Sequence, residues 1–567
     1  MPVKHFVTSS QCPKDTGILD YHEINCSLGG AGMVVATRIA NASRSSQILL
    51  LEVGGEPSVL NEIPAFDAYL ENQPANTWLY NSTEQTNACR NCDGKVSVNF
   101  LGFMLQTFAS INDLKSMFTQ KVLTTRGKML GGSTSTNFMM YGDTQWNYEN
   151  LLSYFKKSED YNGAWASQPD ALTYHGKGGL RNVGTYDFQP GVDEFLAAAL
   201  EKGYILGDYN GANQEGNYFQ RLMSQLKTAG ERVHTALSTE TRGSEQPLHK
   251  KYARVTKINF LTLLGHQKLY NVNVVRDCDR NQRGYPQRWN FRFCSVVDDI
   301  RRRPAEHLSS LNIPLVKDLP VGKQLSDHVT TLVALSEISR VNPNRDLTIQ
   351  AATEFLTSPT MLIYKWSTLQ HLFIPSYPRP EQNVWTRVDI LESWFDPTTN
   401  KIFGLLILGR PKSVGELRLA STNPYDNPIM DLQYLQHPDD VEAMLHGFKI
   451  FVDLYENTAA LDNTKLFEKP VPGCDQNFKS DDYYRCVIRS FSFSIYHHVG
   501  TCALGKVVDG RLNFKYLINS FFQCRVIGID GLRVIDASVM PRLPNGNTQA
   551  ATIMIAEKGS DLIIADM

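Results

Sequence analysis

HEINCSLGGAGMVVATRIANASRSSQILLLEVGG, His22 to Gly55, is the stretch whose reading decides the fold. Its apolar runs and glycines predict a strand, a tight turn, a helix and a second strand. In a G-x-G-x-x-G turn the glycines allow the bend, the close approach of backbone to a pyrophosphate and the packing of helix on strand. The three positions here are Ser27, Gly29 and Gly32, so a Cβ stands where the turn-making glycine is expected. A helix beginning near Gly30 would aim free N–H groups and its positive dipole end at a phosphate. Glu52 ends the run ILLLE, 20 residues beyond Gly32, where a carboxylate can accept both hydroxyl protons of an adenosine ribose. Gly29, Gly30, Gly32 and Glu52 are therefore read as a dinucleotide site, for FAD or NAD rather than NADP.

The 567 residues around this stretch are 42% hydrophobic and 20% charged, enough for two or more domains with sizeable cores. Lysine and arginine total 56 against 58 acidic residues, so no overall field points to nucleic acid or an anionic membrane. No apolar stretch approaches the ~20 residues of a membrane helix, and MPVKHFVTSSQCPKD lacks an apolar signal core. Taken literally this predicts a cytosolic chain, or one whose true N-terminus lies upstream. Ten scattered cysteines are not read as a disulfide framework. Cys89 and Cys92 form one CxxC without clustered histidine, which predicts isolated thiols or a local disulfide rather than a metal site. Asn81-Ser82-Thr83 is a glycan acceptor sequence in a secreted chain.

Further blocks carry a family resemblance. RGKMLGGSTSTNFMMYG (Arg126 to Gly142), PAEHLSSLNIPLVKDLPVGKQLSDHV (Pro304 to Val329), YHHVGTCALG (Tyr496 to Gly505) and GLRVIDASVMPRLPNGNTQAATIMIAEKGSDLI (Gly531 to Ile563) closely resemble segments of the glucose-methanol-choline (GMC) flavoprotein oxidoreductases. With gaps, the resemblance runs from about residue 20 to 565, and its tone is that of the insect branch containing glucose dehydrogenases and ecdysone oxidases. It implies FAD. Arg126, Gly131, Gly132, Ser133 and Asn137 would belong to a second Gly-rich turn meeting the flavin or pyrophosphate, through backbone N–H groups, a hydroxyl and an amide. Asp536 and Ala537 match positions that meet the pyrophosphate and the isoalloxazine edge, and Val255 is a candidate adenine contact.

Oxidising an alcohol needs a base for the hydroxyl proton, a hydride acceptor and a donor that holds the oxygen. The flavin would supply the acceptor. His497 falls at the family's catalytic histidine, with His498 in the variable position facing the other way. Asn547 precedes an apolar helical run and is a good N-cap; the resemblance places a substrate-oxygen donor there, so one residue could do both. The expected reaction is FAD-dependent oxidation of a CH–OH group in a sugar, steroid or other small alcohol, with dioxygen or a quinone-type acceptor restoring the flavin and no metal. The expected fold class is α/β, with an α+β substrate domain. Residues 18–329 and 490–567 would build a discontinuous Rossmann-like FAD domain, and 330–489 mainly an antiparallel-sheet substrate domain; IFGLLILGRPKSVGELRLAS suits that sheet.

One stretch departs from the family. Before PAEHL the resemblance predicts a buried strand and loop of the form KEVILSAG, whereas this chain has NQRGYPQRWNFRFCSVVDDIRRR, Asn281 to Arg303. Shifting its codons one base forward permits IKEVILSAGTFDSVLLLMTSGVG, which predicts a compensating frameshift pair near Arg280 and Pro304. Residues 96–120 and 514–525 read as translated intron or as surface insertions. The passage before Phe155 is shorter than the family's, which would leave the flavin site open. Three rival readings follow: an impaired relative that holds FAD poorly, an NAD-dependent dehydrogenase, and a nucleic-acid module built on the arginine run, the last weakened by balanced charge and absent stacking aromatics.

Overall fold

The computed structural model describes residues 23–25, 29–42, 48–58, 61, 74–90, 120–136, 148–185, 192–208, 210–212, 218–221, 223–224, 248–250, 253–263, 266–276, 305–337, 362–366, 369–374, 401–423, 425–462, 466, 468–509 and 523–567. Asn281 to Arg303, residues 96–119 and 514–522, Ser27 and Asn137 lie outside these.

The opening stretch folds as its pattern predicts. Strand β1 (Glu23–Asn25) pairs in parallel with β2 (Ile48–Leu51), and helix α1 (Gly30–Ala42) crosses between them. On the far side of β2 lies β5 (Leu248–Lys250), also parallel, with β3 (Thr77–Glu84) and β4 (Lys121–Gly127) forming an antiparallel pair in between in sequence. Long strands β6 (Ala253–Leu263) and β7 (His266–Arg276) make a hairpin, joined by the short strand Ile529–Asp530 from the C-terminal region. The chain returns to this part of the molecule with its last helix, Thr548–Asp566, which packs along α1. Ala31, Val34, Val35, Ile39, Ile553 and Ala556 are buried between the two helices. At their rim Arg38 pairs with Asp561 and, at 3.3 Å, with Glu557.

The second body of structure is a mainly antiparallel sheet, with one parallel pair, Ile205–Leu206 on Tyr218–Arg221, at its edge. Its sheet runs, from one edge, Phe493–Ser494, β8 (Val329–Glu337), Lys401–Leu408, Leu369–Ile374, Leu362–Trp366, Tyr218–Arg221 and Ile205–Leu206. The run IFGLLIL predicted for such a sheet is its strand 401–408, where Leu406, Ile407 and Leu408 are fully buried. Helix α2 (Pro438–Glu456) covers it. Proline opens this helix, His437 Nδ1 accepts the Asp439 N–H at 3.3 Å, and Asp439 and Asp440 favour its dipole. Phe448, Phe451 and Tyr455 supply the packed face, each contributing roughly 2–3 kcal/mol by burial. Gly404 is required beneath them, because a Cβ there would lie 2.2 Å from the Phe451 ring.

Among the described residues no helix is long and apolar enough to cross a membrane. One covalent tie was not read from the scattered cysteines: Cys474 is bonded to Cys486, 12 residues away on the helix Asp481–Ser490. Cys89 of the CxxC is disulfide-bonded as well, while Cys524 is a buried free thiol. A pairing that joins a loop to a helix leaves no spacing signature, which is why composition alone undercounted it.

Candidate active site

Two glycine-rich turns meet. Gly29, just after β1, bridges Gly131, and Gly55, beyond β2, bridges Met129. The first turn touches the second at Gly132, whose φ of +53° already favours glycine; a Cβ there would lie 2.8 Å from the Gly29 Cα. Gly131 is also left-handed, at φ +85°. The second turn is tightened by Ser133, whose hydroxyl oxygen accepts the Gly127 N–H at 3.1 Å. Glu52 is buried at the end of β2 and accepts the Gly54 N–H at 2.8 Å. Gly30 and Gly32 form the first turn of α1 behind this junction. Val255 lies in β6 opposite Val274.

A second cluster forms where residues 322–328 run beside 497–501. Ser326 and Val499 exchange backbone hydrogen bonds of 3.1 and 2.9 Å, and Gly322 N–H donates to Thr501 O at 2.8 Å. Gly500, at φ +88°, admits no side chain, since a Cβ would meet Gln324 O at 2.2 Å. This alignment sets Asp327 and His328 against the turn that carries His497.

Asp327 holds that turn. One carboxylate oxygen accepts the His497 backbone N–H at 2.8 Å; the other accepts Ser494 Oγ at 2.5 Å and the Tyr434 hydroxyl. Burial alone would raise its pKa, but His498 and these hydrogen bonds outweigh that and hold it below the usual carboxylate value. Tyr496 takes a left-handed φ of +65°, a conformation that costs on the order of 1–3 kcal/mol in a non-glycine residue. The Tyr496 N–H donates to Ser494 Oγ at 2.8 Å and its carbonyl accepts Arg126 Nη1 at 2.5 Å, so the strained residue is fixed at both ends.

His497 and His498 face different partners. Arg126 Nη2 lies 2.7 Å from His498 Nδ1; a guanidinium only donates, so that nitrogen is the acceptor and the His498 proton is on Nε2. Nε2 is 3.3 Å from Asp327 Oδ2. Burial, then the net balance of Asp327 and Arg126, brings His498 down to about 4. His497 keeps a partly exposed edge, yet the protein packed around it pushes its pKa well below the ordinary histidine value. It is neutral at pH 7. Asn547 Nδ2 approaches His497 Nε2 at 3.4 Å, and Asn547 Oδ1 is buried with no hydrogen-bond partner. The asparagine makes no side-chain cap to the helix it precedes. Its side chain is turned to the histidine instead.

Asp536 and Ala537 sit beside this cluster at a short 3-10 turn. Asp536 Oδ1 accepts both the N–H and the hydroxyl of Ser538, at 2.8 and 2.5 Å, and Cys502 N–H bonds back to Ser538 O at 2.8 Å. Asp327, His328, Tyr434 and Ser494 were not singled out from sequence. Asp327 and His328 lie within QLSDHV, where a charged-polar pair between apolar residues was the available signal. Tyr434 and Ser494 offer none.

Comparison with known proteins bears on the family of the chain. Residues 411–556, which include His497, His498 and Asn547, match the family model described as GMC oxidoreductase. Ecdysone oxidase of Bombyx mori is 28% identical over 98% of this chain and 85% of its own length. Glucose dehydrogenase [FAD, quinone] of Drosophila melanogaster is 26% identical over 94% and 85%. Among solved structures, pyridoxine 4-oxidase from Mesorbium loti superposes with a TM-score of 0.70 at 20% identity, covering 95% of this chain and 98% of that one. Formate oxidase of Aspergillus oryzae RIB40 gives 0.72 at 18% identity, with 96% and 98% covered. Motif blocks, C-terminal family match and whole-chain likeness point the same way: residues 411–556 match the GMC oxidoreductase family model, and the chain is similar to proteins of that kind along nearly its whole length.

Proposed function

We propose that this FAD-dependent oxidoreductase acts on a CH–OH group of a sugar or steroid alcohol, with His497 Nε2 receiving the hydroxyl proton and the Asn547 amide donating to the oxygen. The observation that carries the reading is the pairing of a neutral His497 with an uncapping Asn547 across 3.4 Å. The residues present fit a dinucleotide. Gly29, Gly131 and Gly132 meet backbone to backbone at a junction that one Cβ would force apart, and Glu52 lies at the end of the adjoining strand. Those four, with Gly30, Gly32, Arg126, Ser133, Asn137, Val255, Asp536 and Ala537, are the residues we assign to holding the cofactor.

When bound, FAD supplies the hydride acceptor. The protein's own part is to hold the alcohol oxygen, to accept its proton at one nitrogen and to keep that nitrogen bare at neutral pH. Arg126 contributes from behind, by fixing the Tyr496 carbonyl and His498. Residues 18–329 with 490–567 as cofactor domain and 330–489 as substrate domain remain our division of the chain. A small alcohol is the expected substrate and dioxygen or a quinone the expected final acceptor, in keeping with the names of the ecdysone oxidase and glucose dehydrogenase relatives.

The test is a panel of sugars and ecdysteroid-type alcohols offered to the FAD-loaded protein, with dioxygen uptake and quinone-dye reduction read separately. Turnover of one class without added nicotinamide is expected. Turnover that requires NAD, or a protein that takes up no FAD, contradicts the reading.

A further inference from the structure

His328 is fully buried and touches the candidate base directly. Its Nδ1 lies 2.8 Å from His497 Nδ1, with the two rings nearly perpendicular at 79°. Its other nitrogen, Nε2, lies 2.9 Å from Pro544 O and 3.1 Å from Gly409 O. Carbonyl oxygens only accept, so Nε2 must carry a hydrogen. In the neutral ring Nδ1 then has the lone pair, and two lone pairs cannot face each other at 2.8 Å. His497 Nδ1 therefore carries the hydrogen and donates it to His328. What is left on His497 is a bare Nε2, the nitrogen beside Asn547.

We propose that His328 is the positioning residue that sets the tautomer of His497. Two main-chain carbonyls, from segments far apart in the sequence, select the His328 tautomer; His328 selects that of His497; and the basic nitrogen is thereby aimed at the Asn547 amide and at the alcohol. The hydrogen bond survives the reaction. When His497 Nε2 takes the hydroxyl proton, Nδ1–H still donates to His328, and no nitrogen has to rotate or exchange. The proposal rests on His497 being the base, as argued above. The charged and titratable groups around the pair are Asp327, which accepts the His497 backbone N–H, Arg126 and His498 behind the turn, and Tyr434 and Tyr496.

The test uses histidine nitrogen labelling with FAD-loaded protein, and turnover of the three forms wild type, His328→Leu and His328→Gln. In the wild type, His497 should show a protonated Nδ1 and a bare Nε2, with a proton coupled between the two histidine Nδ1 atoms. His328→Leu removes the acceptor, so that signature is lost and kcat falls by about 100-fold, the low end for a general base, with a smaller change in KM. Glutamine presents both an amide oxygen to His497 and an N–H to the carbonyls, so His328→Gln should recover at least about ten-fold of the loss. A His497 with bare Nδ1 in the wild type, or a signature unchanged in His328→Leu, overturns the proposal. If His328→Leu fails to fold, the wild-type nitrogens and the glutamine form decide alone. A correct nitrogen signature in a protein that oxidises no alcohol would sink the functional reading while leaving the positioning intact.

Discussion

A β-carbon on Gly132 would lie 2.8 Å from the Gly29 Cα, so the two glycine-rich turns touch backbone to backbone. Gly132→Ala must push them apart and also pay a φ of +53°. Loss on the order of 1–3 kcal/mol is expected at this junction. Flavin bound per protein after gel filtration should fall at least about ten-fold, a loss equal to roughly 1.4 kcal/mol. Unchanged flavin content would place the cofactor elsewhere.

Asn547 separates capping from chemistry. Because its side chain makes no cap bond, Asn547→Ala should cost the terminal helix little and leave the melting temperature close to that of wild type. Turnover should drop roughly 100-fold or more, as for loss of one donor to a developing oxyanion. Melting temperature and kcat measured on the same preparation decide it: a large melting shift with modest kinetic loss would make Asn547 structural.

Two buried histidines set opposite limbs of the stability profile. His498, brought down to about 4 by burial, is neutral when folded, whereas the unfolded chain protonates it near the ordinary value of 6.5. Stability therefore falls as pH drops from about 6.5 towards 4, by roughly 3 kcal/mol. His175 is the reverse case. Burial disfavours its charge, but Asp208 at 2.7 Å and Glu159 at 2.9 Å outweigh burial and raise it to about 9. Its contribution is complete below pH 6.5 and is lost as pH rises through about 9. Thermal unfolding across pH should peak between the two limbs. His498→Gln should flatten the acid limb and Glu159→Gln the alkaline one; parallel curves for all three proteins would contradict both assignments.

The bond between Cys474 and Cys486 ties a loop to a helix within the main core. Replacing both by serine should lower unfolding free energy by about 2–4 kcal/mol. Denaturant unfolding checks this, and an unchanged midpoint would contradict it.

Much of this was legible in the sequence. Alternating glycines and apolar runs gave β1, α1 and β2, and the carboxylate of Glu52 falls at the strand end where the spacing put it. His497 and His498 diverge as neighbours on an extended segment must, and IFGLLIL is a strand that buries Leu405 to Leu408. The support of the site was not legible. Asp327 reaches the His497 turn from 170 positions away, and Arg126 reaches Tyr496 across 370. Such contacts depend on two chain segments lying side by side, which no local period encodes. Asn547 read as an N-cap because propensity registers only the helix that follows it, not the histidine facing it. The arginine-rich run from Asn281 to Arg303 lies outside the described residues, so its predicted shift of frame is checked in the transcript rather than in the fold.

The most direct test of the central claim is anaerobic mixing of the FAD-loaded protein with its alcohol, following flavin absorbance, for wild type and His497→Ala. The wild type should bleach, and the variant should retain its flavin, with bleaching slowed by about 100-fold or more as expected for loss of a general base. Equal bleaching rates in the two proteins would contradict the assignment of His497 as the base.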